Sequence, residues 1–237
     1  MESATYGATQ ARSVDAGRGV SWWGEGWALF MKNAGMWVVM ALIFLIICIV
    51  LSVIPILGGL ALALLFPVFI GGFLMAAYKL EAGGTLEVGD LFAGFKEKLT
   101  PLVVLGGIVL GATIVMWIVI AALGVGAAVG MGSGQATGAG FFAILLAGLI
   151  GLAFGVLVGM AMWFAPALVV FHDTPPVDAI KLSFAAGLKN IIAFLIFGVL
   201  YLVAAVVASI PFGLGWLVLI PVLMLTMYAS YKDVFGR

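Results

Sequence analysis

The residues best suited to chemistry lie in the polar segment 172–178, which reads His-Asp-Thr-Pro-Pro-Val-Asp. A histidine beside an aspartate, as in His172 and Asp173, can act as a general base or hold a metal ion. The chain has one histidine and one cysteine, so no second ligand of either type can complete a metal site. We therefore expect no catalytic, cofactor-binding or metal-binding residue, and we interpret the segment as a polar loop at a membrane interface.

Two other side chains are potential nucleophiles. Ser133 lies in a Gly-Ser-Gly segment, as in an intramembrane serine protease, but that chemistry needs a histidine base within a later span. No predicted span supplies one. Cys48 lies in the apolar run 45–50 without a second cysteine to pair with, so we interpret it as a small hydrophobic side chain.

The composition defines the elements that carry these residues. Apolar residues make up 65% of the chain and charged residues 8%, against about 45–50% and about 25% in soluble domains. Asp, Glu, Lys and Arg are absent from residues 33–78, 99–172 and 190–231. Each block is long enough for two helices of about 20 residues and lacks the alternating pattern of a membrane β-barrel.

The sequence therefore predicts an all-α, polytopic transmembrane bundle with six spans arranged as three hairpins. Proline followed by glycine predicts tight turns within the first and third hairpins, whereas the glycine-rich segment 130–140 predicts a flexible loop in the second. We expect the spans at residues 36–54, 57–80, 102–129, 141–171, 191–210 and 214–231.

All Lys and Arg residues fall on the side of the predicted bundle that carries the termini, and the acidic residues lie there too. The positive-inside rule then predicts that both termini are cytoplasmic. The net charge is zero, so nothing indicates binding to nucleic acid. The cations are Arg12, Arg18, Lys32, Lys79, Lys96, Lys98, Lys181, Lys189, Lys232 and Arg237.

We expect residues 1–19 to form a disordered cytoplasmic tail and residues 20–237 to form a single integral membrane domain. Within this domain an offset of 89 residues aligns Phe95 with Phe184, and an offset of 157 residues aligns Trp27 with Phe184. These offsets predict three repeat units, at about 20–80, 85–171 and 174–232.

Each unit begins with apolar residues at positions i, i+4 and i+8, a spacing that marks one face of a helix. Charged neighbours keep such a helix at the membrane interface. We predict three amphipathic helices along the cytoplasmic membrane surface, each leading into a hairpin. The interface-anchoring residues are Trp23, Trp27 and Met31, then Leu91, Phe95 and Leu99, then Ile180, Phe184 and Leu188.

The second span of each hairpin contains a proline, Pro67, Pro166 or Pro221, which removes a backbone donor and predicts a kink. Small residues at four-residue spacing allow helices to pack closely. We expect this packing within one copy of the chain, with a dimer interface as the alternative. The small residues are Gly107 and Gly111 in the third span and Ala147, Gly151, Gly155 and Gly159 in the fourth.

Several segments resemble an uncharacterised family of proteobacterial six-span inner-membrane proteins. They are GWALF at 26–30 with KN at 32–33, PVF at 67–69, DLFAGF at 90–95, VVFHD at 169–173 and SIPFGLGW at 209–216. The resemblance runs from Trp22 to Gly236, departs at the glycine loop after Gly130, and implies location in the bacterial inner membrane. That family is distantly similar to the membrane domain of some glycerophosphodiester phosphodiesterases, but no hydrolase domain is present here to carry that activity.

The predicted spans contain no Asp, Glu, Arg or His, which argues against ion-coupled transport. Our leading hypothesis is a non-enzymatic accessory or membrane-organising protein that contacts the lipid bilayer and a membrane or cytoplasmic protein partner. The alternative is a carrier or flippase for lipids or apolar small molecules, since such a protein needs no buried charge. An interfacial enzyme that uses Asp173, Asp178 or His172 is a third hypothesis.

Overall fold

The computed structural model describes residues 10–132 and 137–236, with side chains for 10–122 and 142–236. Ser133 lies outside these residues. The described chain is helical, without strands, and this confirms the predicted fold class. A short 3₁₀ helix spans Val88–Phe92, and the α-helices are α1 Arg18–Met31, α2 Ala34–Ser52, α3 Leu57–Glu81, α4 Ala93–Glu97, α5 Leu99–Gly132, α6 Thr137–Trp163, α7 Ala165–His172, α8 Pro176–Lys189, α9 Ile191–Ser209 and α10 Trp216–Phe235.

Six helical stretches of the described chain are long and apolar enough to cross a membrane, as the sequence predicts. They are α2, α3, α9 and α10, together with Leu99–Ala122 of α5 and Phe142–His172 of α6 and α7. The prediction of a flexible loop at 130–140 is wrong at both ends, because α5 continues to Gly132 and α6 begins at Thr137. A continued helix satisfies backbone N–H and C=O groups, which offsets the cost of about 1 kcal/mol for each glycine.

The centre of the bundle is formed by α3 and α10 together with α7. In the most apolar 18-residue stretch of each span, the buried share is 56% in α3 and 61% in α10. It is 22% or less in the other four spans. In α7, the residues from Ala165 to Val170 are all buried. The remaining spans surround this core and direct most of their apolar surface outward, as expected for contact with lipid.

The first amphipathic segment, α1, packs against α9 and α10. Its buried residues are Gly19, Trp22, Gly26, Leu29 and Phe30. Three of them, Trp22, Gly26 and Phe30, each precede by one residue the predicted anchoring residues Trp23, Trp27 and Met31, so the buried face is rotated by one residue from the predicted one. The two glycines explain the difference. An added Cβ would overlap the Ala193 carbonyl oxygen at Gly19 and would lie 2.9 Å from the Thr226 nitrogen at Gly26, so this face lets the backbone of α1 approach α9 and α10 closely.

The second segment is a 3₁₀ helix followed by the five-residue α4, rather than the single amphipathic helix that we predicted. The chain leaves helical geometry at Lys98 (φ −137°) before α5 begins. Pro101 accounts for this break, because its ring would clash with the carbonyl of Glu97 in a continuous helix. The third segment is the single helix α8, which packs against α6 and α7.

Contacts between backbones hold the second segment against α3. A Cβ atom added to Gly72 would overlap the carbonyl oxygen of Leu91, and one added to Gly94 would overlap the carbonyl oxygen of Val68. Glycine at these two positions therefore brings the 3₁₀ helix and α4 directly onto the central helix.

Residues 10–17 are ordered, so the prediction of a disordered tail is wrong for this part of the chain. The Arg12 amide donates to the Val234 carbonyl at the end of α10 (2.8 Å). The Asn190 side chain, between α8 and α9, accepts from the Val14 amide (2.8 Å) and donates to the Arg12 carbonyl (2.9 Å). These hydrogen bonds replace the strand or helix partners that an extended segment lacks. Residues 1–9 lie outside the described part.

We predict that Gly94→Ala lowers the free energy of unfolding by about 1–3 kcal/mol, because the new methyl group displaces α4 from Val68. The measurement is thermal or denaturant unfolding of the detergent-solubilised protein. Gly89→Ala is the matched control, since Gly89 lies in the same segment and a Cβ there would meet no atom within 4 Å. Equal stability of the two variants would contradict the prediction.

Candidate functional site

The charged side chains gather at the end of the bundle that contains α1, α4, α8 and the C-terminal ends of α3, α7 and α10. We call this end the charged face. Four of the ion pairs at this face join different elements of the chain, so the segments are held to one another as well as to the core. These pairs are Arg18–Asp233, Lys79–Asp90, Lys98–Asp173 and Lys232–Glu81.

Asp233 is the acceptor that links α1 to α10. Its Oδ2 atom accepts from Arg18 Nε (2.6 Å) and from the indole nitrogen of the buried Trp22 (2.9 Å). Arg18 also donates to Glu25 within α1 (2.7 Å). The hydrogen bond to Asp233 raises the pKa of Arg18 above its ordinary value, because it stabilises the charged guanidinium.

Glu81 makes the corresponding link between α3 and α10. It accepts from the Tyr228 hydroxyl (2.7 Å) and from the Lys232 ammonium. The Lys232 nitrogen also lies 5.0 Å from the centre of the Tyr228 ring, within the range of a cation–π interaction. The two central helices are therefore joined at their charged ends by one carboxylate.

A serine of α8 repairs the helix break at Pro166. Phe164 lies between α6 and α7, and its amide donates to the Ser183 hydroxyl (2.9 Å). Ser183 in turn donates to the carbonyl of Met160 (2.7 Å), the acceptor that Phe164 would use in an unbroken helix. Of the three predicted kinks, this is the one where the helix is interrupted; Pro67 and Pro221 lie within continuous helices.

The polar segment 172–178 is divided between separate contacts. Asp173 adopts a left-handed φ of 53° and pairs with Lys98. Asp178 pairs with Lys181 one turn along α8 (3.3 Å). The His172 ring packs against Tyr231 with centroids 5.8 Å apart. No group of three His, Cys, Asp or Glu side chains in the described residues is arranged to hold a metal ion.

The predicted anchoring residues have different environments. In α1, Trp27 and Met31 lie beside the packed face, with 49% and 57% of their surface exposed. Leu99 of α5 and Leu188 of α8 are exposed as well. Trp23, Phe95, Ile180 and Phe184 are half-buried. Leu91 is fully buried, because the close approach at Gly72 places the 3₁₀ helix in the core, so an anchoring role at the membrane surface is wrong for this residue.

The small residues of the third and fourth spans mostly face open space within this chain. A Cβ added to Gly111, Gly155 or Gly159 would meet no atom of the described residues within 4 Å, so internal packing against the described residues is wrong for these positions. Gly151 faces Ile120, and Gly107 is in ordinary contact with Leu64. The close approach instead occurs next to Gly107, at Gly106, where an added Cβ would lie 2.6 Å from the Ala63 and Leu64 carbonyl oxygens. Ala147, at the head of the ribbon, is half-buried.

The described surface carries three apolar grooves between helices, which we call the lateral grooves. One of about 410 Å³ lies between α3, α5 and α6, and one of about 640 Å³ lies between α1, α9 and α10. The third, of about 430 Å³, separates α6 from α9 beneath α8. A cavity of different character, about 340 Å³ with mixed polar and apolar walls, opens at the charged face between α3, α4 and α7.

Over 257 aligned residues the chain is 28% identical to a protein of Burkholderia thailandensis named as a probable inner membrane protein, covering 96% of this chain and 94% of the relative. No family model and no solved structure matches the chain. The six apolar helices and this similarity along the whole length together support a multi-pass inner-membrane protein.

Sequence reasoning did not single out Ser183, Glu81 or Asp233, because a lone polar residue near a membrane interface resembles a solvated one. One signal was available for Ser183. It shares a helical face with small residues at spacings of three and four, the pattern that allows close packing. The buried residues of this face are Ala179, Ser183, Ala186 and Gly187.

We predict that Ser183→Ala lowers the free energy of unfolding by about 1–3 kcal/mol, because it leaves the Phe164 amide and the Met160 carbonyl without a partner. The measurement is thermal unfolding in detergent. Ser52→Ala is the control, since that exposed hydroxyl bonds to the Ile49 carbonyl within its own helix end. A similar small effect in both variants would refute the repair role of Ser183.

Proposed function

We propose that this chain is a non-enzymatic accessory component of the bacterial inner membrane that holds a partner protein at its charged face, with both termini in the cytoplasm. The confinement of Lys and Arg to the side of the termini supports the orientation. The partner contact is assigned to the exposed stripe of α1 formed by Trp27 and Met31.

The ion pairs between elements carry the proposal. Arg18, Asp233, Glu81 and Lys232 hold α1 and α3 to α10, and a charge held by an internal partner is poorly placed for proton transfer to a substrate. Such pairing instead favours a rigid surface on which exposed apolar side chains keep fixed positions. A preorganised surface of this kind loses less conformational entropy when a partner binds.

The test is cross-linking from Lys32, next to Met31, with a membrane-impermeant amine-reactive reagent. Inverted membrane vesicles should give a defined partner adduct from Lys32, and right-side-out spheroplasts should give none. Replacing Trp27 and Met31 together by Gln should reduce the adduct at least tenfold.

The matched control replaces Val177 and Leu188 of α8 by Gln, two residues of similar exposure at the same face. This variant should cross-link like the unchanged protein. Equal losses in the two double variants, or labelling of Lys32 from the outer side, would contradict the proposal.

A second candidate is a carrier or flippase for lipids or apolar small molecules. The lateral grooves favour it, because their apolar walls open toward the region of the acyl chains. Gly198 lines the groove between α6 and α9. A Cβ atom added to this glycine would meet no atom of the described residues within 4 Å, so the groove is open at this position.

Transfer of labelled lipid between the leaflets of proteoliposomes distinguishes this candidate. A carrier should exceed the rate of protein-free vesicles, and Gly198→Leu should slow it by filling the groove. Gly155→Leu is the control, since Gly155 is exposed on α6 and does not line the groove. A rate equal to that of empty vesicles across a broad panel of lipids would exclude this candidate.

A further inference from the structure

The mixed cavity at the charged face has a rigid frame. One wall is the end of α3, another is the 3₁₀ helix with α4, and the third is α7. The backbone contacts at Gly72 and Gly94 fix the second wall to the first, and Lys79 bridges both carboxylate oxygens of Asp90 (3.0 and 3.1 Å) across them. The lining residues are Met75, Ala76, Tyr78, Lys79, Asp90, Ala93, Glu97, Val170 and Phe171.

The charges that line the cavity are one cation and two carboxylates. Lys79 is neutralised by Asp90, which leaves the carboxylate of Glu97 as the excess charge. Glu97 is exposed and takes part in none of the ion pairs found among the described residues. The cavity therefore favours a ligand with one positive charge.

The other walls define the rest of the ligand. The rings of Tyr78 and Phe171 meet edge to face with centroids 5.8 Å apart, and aromatic walls of this type attract organic ammonium ions. The floor consists of Met75, Ala76 and Val170, which provide apolar contact. A mainly apolar pocket with a few placed polar groups is the usual form of a site for a small molecule.

We propose that this cavity binds the ammonium group of an amphipathic amine, with Glu97 as the counter-charge and Phe171 and Tyr78 as the aromatic wall. The shared chemistry is a protonated primary amine attached to an apolar body. Either the headgroup of an aminophospholipid or a free amphipathic amine supplies it. The site is independent of both functions proposed above, because it uses neither the α1 stripe nor a lateral groove.

The test uses native mass spectrometry of the full-length protein in mild non-ionic detergent, with three probes. Phosphatidylethanolamine represents the lipid source and octylammonium the free amine, while N-acetylated phosphatidylethanolamine with the same acyl chains lacks the positive charge. We expect at least tenfold more adduct with an amine probe than with the acetylated lipid. Adducts with phosphatidylethanolamine identify a lipid source, and adducts with octylammonium alone identify a free amine.

Variants locate the site. Glu97→Gln should reduce the amine adduct at least tenfold, and Ala93→Leu should reduce it by filling the cavity. Asp178→Asn is the control, because it removes an exposed carboxylate of α8 at the same face that does not line the cavity. Unchanged melting temperatures show that the variants are folded. Equal binding of the acetylated lipid, or full binding by Glu97→Gln, would overturn the proposal.

Discussion

The hydrogen-bonding groups of the backbone cannot be left without partners in hydrocarbon, and this constraint organises the whole protein. Each unsatisfied group costs several kcal/mol there, so the three charge-free blocks are helical over nearly all of their described length. The effect of this constraint is clearest where a helix is interrupted. Where Pro166 prevents a continuous helix, Ser183 supplies the missing donor and acceptor from a different helix, so α8 is part of the packed core of the protein as well as of its charged face.

The same constraint concentrates the polar chemistry at one end of the bundle. The charged side chains at the ends of the spans and in the segments between them meet at the charged face, where four ion pairs connect separate elements. Individually such pairs contribute little at an exposed surface. Here they act beside backbone contacts at Gly72, Gly94 and Gly26, which fix the relative positions of the segments that carry them. A surface built in this way is suited to presenting side chains and a preformed cavity.

The predicted repeat units use equivalent positions differently. Asn33 and Asn190 correspond at an offset of 157 residues. The Asn33 side chain accepts from the Met36 amide at the start of its own helix, whereas Asn190 binds the extended segment at residues 12–14. The difference follows from location, because the N-terminal segment runs past α8 and α9 and not past α2. A position can thus keep its residue type while its partner changes.

The sequence alone determined the helical class, the number of spans, their limits to within a few residues and the side on which the charges gather. These properties depend on local composition, since the free energy of transferring a segment into hydrocarbon is close to the sum of the contributions of its residues. Only the tertiary structure decided which face of α1 is buried, that Leu91 belongs to the core, and that Gly155 and Gly159 meet none of the described residues. It also decided that Ser183 completes a broken helix. Each of these depends on which distant backbone lies opposite, and the spacing of residues along one helix carries no information about that neighbour.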